Sequence, residues 1–425
     1  MKLAIVGTGI SGLACAHRLH RSHEVTLFEG ADRVGGHSNT VRVDLADETH
    51  HVDTGFIVYN EANYPRFTRL LAELGVETQP SEMSFSVRNE RTDHEWSGSS
   101  LDGLFAHRGD LVRPRHWRML ADILRFNRAA HALLATTAST EPGPTLDEFL
   151  TEHRFRGAVV EDYVVPLGAS IWSADPTTFG RYPSASLFRF LDNHGLLSLG
   201  GRPAWRTVTG GSAQYVDRLV APFRDRIRLG QGVEKVVRDP DGGDGGVELV
   251  TADHEPERFD QVILACHADE ALELLGDPTP AEHEILGAIR FQPNVATLHT
   301  GTAMLPRSPR AWSSWNYHVT VEERRRPTLT YWMNRLQSLD SAHEICVTLN
   351  RPDEINPSTV LGQFEYSHPV YDPGTLAAQA RRHQIQGRRN TWFVGAWWGY
   401  GFHEDGVASS DEVAAALVDQ HRRRP

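Results

Sequence analysis

The chain has 425 residues, 40% hydrophobic and 23% charged, a globular profile too long for one compact core and suited to two domains. Its formal net charge of -12 excludes a general electrostatic footprint for nucleic acid, and no apolar run approaches the length that spans a bilayer. Cys15, Cys266 and Cys346 are odd in number and far apart, which excludes a disulfide framework or zinc-ligand spacing.

Lys2 to Val6 is a short apolar run ending at Gly7 and reads as a buried parallel strand. Ser11 to Leu19 carries apolar residues at helical spacing, and Glu24 to Phe28 is a second strand ending at Glu29, so the chain opens on a βαβ unit. Tyr64 to Leu74 reads as a helix with Phe67, Leu70, Leu71 and Leu74 on one stripe, stopped by Gly75. Trp117 to Leu134 is helical in pattern, and Ala135 to Pro144 is a Ser/Thr/Pro-rich loop. Thr145, with Glu148 three residues on, predicts a capping box and a helix to about Glu152. Ile227 to Leu229 and Val233 to Val237 read as strands, Asp239 to Gly246 as a hairpin loop, and Val247 to Val250 and Gln261 to Ala265 as strands again. Trp392 to Val394 is a final strand, followed by a Gly-rich loop and a helix from about Val407 to Val418. The glycines that interrupt the N-terminal apolar run argue against a signal peptide, so a cytoplasmic protein is expected.

Gly7-Thr8-Gly9-Ile10-Ser11-Gly12 is a GxGxxG that follows a strand, opens a helix and has Glu29 about 20 positions later. In that context Gly7 makes the tight turn, Gly9 lets a pyrophosphate approach the backbone, and Gly12 lets the helix pack close to the sheet. The first-turn N–H groups of Ile10, Ser11 and Gly12 would meet the phosphates, and Glu29 would accept from a ribose diol. The dinucleotide-type segments predict an α/β fold. Its Rossmann-like cofactor domain would be assembled from 1–80, 206–270 and 385–425, with an inserted α+β substrate domain built from 81–205 and 271–384.

Asp32-Arg33-Val34-Gly35-Gly36-His37 directly after Glu29, Asp53-Thr54-Gly55-Phe56, Gly232 to Val236, Ile263 to His267, Thr391 to Ala396 and Glu404-Asp405-Gly406 together resemble the flavin-containing amine oxidoreductase superfamily. That group includes monoamine oxidases, protoporphyrinogen oxidase and carotenoid desaturases. The resemblance implies FAD as cofactor. It places Arg33, Gly35, Gly36 and His37 along the pyrophosphate and ribityl chain, Gly55 and Phe56 beside the flavin ring, and the Val233 backbone at the adenine. Gly395, Glu404, Asp405 and Gly406 form its second flavin motif. Three departures stand out: Ala396 replaces the usual acidic residue, His37 replaces the usual Arg, and Lys2 and Lys235 are the only lysines, so no lysine is placed to hold water at the flavin. Asp53 to Asn60, Asp192 to Gly195 and Gly399 to Gly406 further resemble a bacterial branch of predicted FAD-binding proteins. Its genes often lie near cyclopropane-fatty-acid-synthase-like methyltransferases, which implies acyl-chain substrates.

Trp398 and Tyr400 precede the flavin-facing helix and are candidates to line the wall above the ring. His403 and Glu404, in the same loop, are candidates to move a proton, the bland alternative being that they cap a helix or meet the cofactor. No metal-ligand spacing stands out. The expectation is an FAD-dependent oxidoreductase that oxidises a small or lipid-like substrate, with O2 or another electron acceptor as partner. The rivals are an amine oxidase, a flavin-dependent isomerase or mutase, and a cofactor-less binding protein on the same fold.

Overall fold

The computed structural model describes residues 1–423 apart from 47, 139, 140, 142, 199, 202, 240–244 and 253. The expected loops at 135–144 and 239–246 therefore fall partly outside the described residues.

A five-stranded parallel sheet forms the first layer. Its order is Ile227–Arg228, Glu24–Phe28, Lys2–Val6, Gln261–Leu264, Thr391–Phe393, so neighbours in space come from the beginning, middle and end of the chain. Both faces of this sheet are covered, and the pleat sorts its side chains. Leu3, Ile5, Val25, Leu27 and Ile263 join one core with the helix Ile10–Leu19 and the long helix His403–Arg423. Ala4, Val6, Phe28, Val262 and Leu264 join a second core with Phe259, Ile285 and Trp397. That is why these short strands are apolar at nearly every position.

The second layer is a seven-stranded sheet in the order Val360–Pro369, Phe291–His299, Cys346–Leu349, Thr328–Trp332, Trp315–Val319, Phe85–Asn89, His94–Ser97. A helical region including Pro114–Thr136, Val165–Trp172 and Ser184–Asn193 packs beside it around Phe126, Phe149, Phe188 and Trp172. The Thr145–Glu148 capping box is formed and starts the helix Leu146–Glu152. Among the described residues, no helix is long and apolar enough to cross a membrane.

The last helix differs from its expectation. It begins at His403, four residues before Val407, and runs through Gly406. This glycine is not a breaker: a Cβ there would lie 2.8 Å from Ser11 Oγ and 3.0 Å from Ile10 Cγ2. It allows the C-terminal helix to cross the first helix, an approach also fixed by Ser410 Oγ donating to Ser11 O at 2.7 Å.

Candidate functional site

The first strand, its turn and the first helix build one wall. Gly7 has φ +104°, which a side chain would strain, and its N–H donates to Phe28 O at 2.8 Å. Gly9 is the N-cap of Ile10–Leu19, with no side-chain cap and no acidic residue in the first turn. A Cβ on Gly9 would meet nothing within 4 Å, so there is open space beside this uncapped helix start. A Cβ on Gly12 would lie 2.0 Å from Gly7 O, so this position requires glycine for packing. Glu29 closes the second strand; its carboxylate accepts from Thr8 N at 3.0 Å and Ala31 N at 3.0 Å.

The loop after Glu29 folds back on this wall. Gly35 N donates to Thr8 O at 2.9 Å, and a Cβ on Gly36 would lie 3.1 Å from Gly9 Cα. Arg33 lies half-buried at its start. Phe56 N donates to His37 O at 2.8 Å, and a Cβ on Gly55 would clash with that same oxygen at 2.2 Å. Val233 begins a separate three-stranded antiparallel sheet, and just before it Gly232 passes close to Gly30.

His37 stands in a nest of rings: Tyr366 at 5.0 Å, His368 at 5.3 Å and His267 at 6.2 Å between centroids. His37 and His368 are partly accessible yet deep in the fold, and burial lowers both, His37 well below the ordinary histidine value and His368 to about 4. Neutral imidazoles therefore line this junction between the two sheets. Tyr366 and His368 were not legible as site residues, although their i, i+2 spacing on one strand is the signal that would have found them.

Three of the four side chains expected to do chemistry have other partners. Trp398 is 7% exposed, donates Nε1 to Phe393 O at 3.1 Å and belongs to the second core, so it is not a free wall. Glu404 accepts from Arg66 N at 3.0 Å and Phe67 N at 3.0 Å, capping the helix Pro65–Glu73 rather than its own. His403 is enclosed: its ring stacks on Phe56 at 3.5 Å, and its Nε2 lies 3.0 Å from Ser38 Oγ and 2.9 Å from Tyr215 OH. Burial pushes it down to about 3, so it stays neutral and joins the Ser38 loop to the helix Ala213–Val220. Tyr400 remains partly accessible, and its backbone oxygen accepts from Trp172 Nε1 at 3.0 Å.

Asp405 supports this loop. Its Oδ2 accepts from Tyr400 N at 3.1 Å and Phe402 N at 3.0 Å, and burial pushes its carboxyl up to about 7. Gly395 N donates to Ser409 Oγ at 3.0 Å, tying the final strand to the helix that follows. Sequence reading also missed Asp53 as a hub. Fully buried, it accepts from Thr40 Oγ1 at 2.6 Å, Ser212 N at 2.9 Å and Gln337 Nε2 at 3.0 Å, and burial raises it to about 6. His194 and Asn316 are likewise occupied within the fold. His194 Nδ1 bonds to Phe190 O at 2.8 Å, and Asn316 Oδ1 accepts from Ser86 Oγ at 2.8 Å.

An uncapped helix N-terminus, two glycine turns pressed against it and an acidic residue at the second strand end make a cradle whose groups suit a dinucleotide diphosphate. The family of flavin containing amine oxidoreductases matches residues 10–305, and the chain belongs to that family. The family is flavin-containing, and FAD is the cofactor here, which the cradle fits. AofH of Mycobacterium tuberculosis, named a flavin-containing monoamine oxidase, is 38% identical over 300 residues, 67% of this chain and 61% of that protein. The chain thus spans less than two thirds of the length of that curated relative. Among solved structures, cyclohexylamine oxidase from Brevibacterium oxydans superposes with a TM-score of 0.71 at 17% identity, covering 99% of each chain. A CLA-producing fatty acid isomerase from P. acnes gives 0.68 at 17% identity over 98% of each chain. At these identities the two structures share the fold alone.

Proposed function

We propose that the protein oxidises a small, lipid-like substrate, an acyl chain in preference to an amine. When bound, FAD supplies the hydride acceptor, and O2 or another oxidant restores it. In this reading the N–H groups of Ile10, Ser11 and Gly12 and the Gly35–Gly36 turn would hold the pyrophosphate, with Arg33 and His37 beside it. Glu29 would hold the ribose and the Val233 backbone the adenine. Gly55, Phe56, Gly395, Asp405 and Gly406 would border the flavin end. Residues 1–80, 206–270 and 385–425 form the cofactor domain and the two intervening stretches the substrate domain. Three free cysteines suit a reducing compartment, and we place the protein in the cytoplasm on that ground.

One observation carries the substrate class. A groove of about 260 Å³ is lined by Phe179, Tyr182, Val370 and Tyr371, with Arg181 and Arg290 among its polar residues. It adjoins the loop before the last helix, since a Cβ on Gly401 would lie 2.8 Å from Tyr371 OH. The Tyr182 and Tyr371 hydroxyls are buried without a hydrogen-bond partner, and burial holds both phenols protonated. Such hydroxyls are costly until a ligand oxygen meets them. Arg181 and Arg290 are balanced by Asp175 and Asp372, the last paired with Arg290 at 2.8 Å, so the apolar and tyrosine lining rather than net charge favours an acyl chain. Neutral His37 and His368 and an Asp405 carboxyl pushed up to about 7 by burial reduce the charge of this zone.

The test begins with the visible spectrum of the purified protein before and after acid precipitation. Flavin bands that move to the supernatant are expected. Anaerobic bleaching by an unsaturated fatty acid, faster than by a primary amine, would support the reading. Bleaching by the amine alone would overturn it in favour of an amine oxidase. Double-bond migration with no acceptor consumed would mark an isomerase, the activity in the name of the P. acnes neighbour. A colourless protein that FAD cannot reconstitute would mark the binding-protein alternative.

A further inference from the structure

We propose that His94, Asp110 and His116 form a binding site for one divalent transition-metal ion, zinc in the first instance, which ties the edge of the seven-stranded sheet to the long helix beside it. His94 opens the edge strand His94–Ser97, Asp110 lies on the single turn Arg108–Val112, and His116 is in the first turn of Pro114–Thr136. One donor atom from each lies within 4.8 Å of the other two. His94 Nε2 is 3.0 Å from His116 Nδ1 and 3.9 Å from Asp110 Oδ2. The three residues are 4%, 0% and 2% exposed, so solvent does not complete their bonding.

Two further observations point to a cation. Asp110 Oδ2 is buried and has no hydrogen-bond partner. An unfilled carboxylate oxygen in the interior is costly, and a bound cation removes that cost. The second is the orientation of His94. Its Nδ1 lies 3.1 Å from Asp162 Oδ2, a carboxylate itself held by Asn89 Nδ2 at 2.5 Å and Arg115 Nη1 at 2.6 Å. This carboxylate keeps the proton on Nδ1 and turns the Nε2 lone pair toward Asp110 and His116, the arrangement that positions metal-bound imidazoles. Two imidazoles and one carboxylate suit zinc, with water in the fourth place. The ligands come from three elements over 23 residues, which is why no motif announced them.

The experiment uses the purified flavoprotein, stripped with a chelator, equilibrated with ZnCl2 and freed of excess ion by gel filtration. About one zinc per chain by elemental analysis and a raised thermal midpoint are expected. Asp110→Asn and His116→Gln should each bind zinc at least about tenfold more weakly, with flavin absorbance per chain unchanged. Wild-type protein that retains no zinc, or retention equal in wild type and both variants, would overturn the site. The wild-type result stands whether or not either variant folds.

Discussion

Gly9 and Gly12 lie on the same turn, yet a side chain added at each has a different consequence. At Gly9 the backbone is extended, with φ -68° and ψ 178°, and a Cβ points into open space. Gly9→Val should therefore fold, at a cost of about 1 kcal/mol, but emerge colourless, because the branched side chain occupies the place of the diphosphate. A variant that stays yellow would refute that placement. At Gly12 a Cβ meets Gly7 O at 2.0 Å. Gly12→Ala should cost about 3 kcal/mol or more in denaturant unfolding, or fail to accumulate as folded protein. Both glycines were legible in sequence, since the chemistry of a phosphate turn demands them at fixed spacing. His403 and Glu404 were legible only as polar residues near the right loop. Their partners, Tyr215 and the Pro65–Glu73 helix, lie far away in sequence, so their tasks could not be read from neighbours.

Elements are joined here by buried polar groups whose ionisation has consequences. Arg238, on the strand Val233–Arg238, donates to Glu282 at 2.6 and 3.0 Å, and its side chain and that of Glu282 are 0% and 1% exposed. Glu282→Gln should destabilise by about 1–3 kcal/mol in chemical denaturation, since the buried guanidinium loses its enclosed carboxylate and keeps Asp277, at 3.0 Å, as its anionic partner. The loop before the last helix depends on pH. Asp405 is raised from 3.8 to about 7, so the folded state binds the proton more tightly than the unfolded state. Its contribution is fully present below about pH 4 and is lost as pH rises toward 7. His403 is lowered to about 3 and acts oppositely, costing stability as pH falls from 6.5. Comparing thermal midpoints from pH 4 to 7, Asp405→Asn should gain on wild type as pH rises; a constant difference would refute this. The start of this helix was misjudged because Gly406 reads locally as an interruption, whereas its contact with Ser11 explains it only once the two helices cross.

The whole molecule depends on a sheet whose five strands are gathered from residues 2 to 393. FAD bound across its strand ends should stabilise the entire fold: at a hundredfold excess over Kd, about 2.7 kcal/mol, seen as a higher thermal midpoint with added FAD. No shift on adding FAD to cofactor-free protein would argue against binding to the native state. The opening βαβ unit could be read because it is a local device, a strand, a glycine turn and a helix start, whose physical chemistry is complete within about thirty residues. The seven-stranded sheet was not legible: its strands pair over separations as large as Phe85 with Trp315, and several mix polar and apolar residues. The sequence by itself determined the opening βαβ unit with its glycine turn, and the family, because backbone conformation constrains residue type locally. Only the tertiary structure decided which histidines are enclosed, which line the cleft, and that His94, Asp110 and His116 meet. Burial and convergence are properties of packing between distant segments.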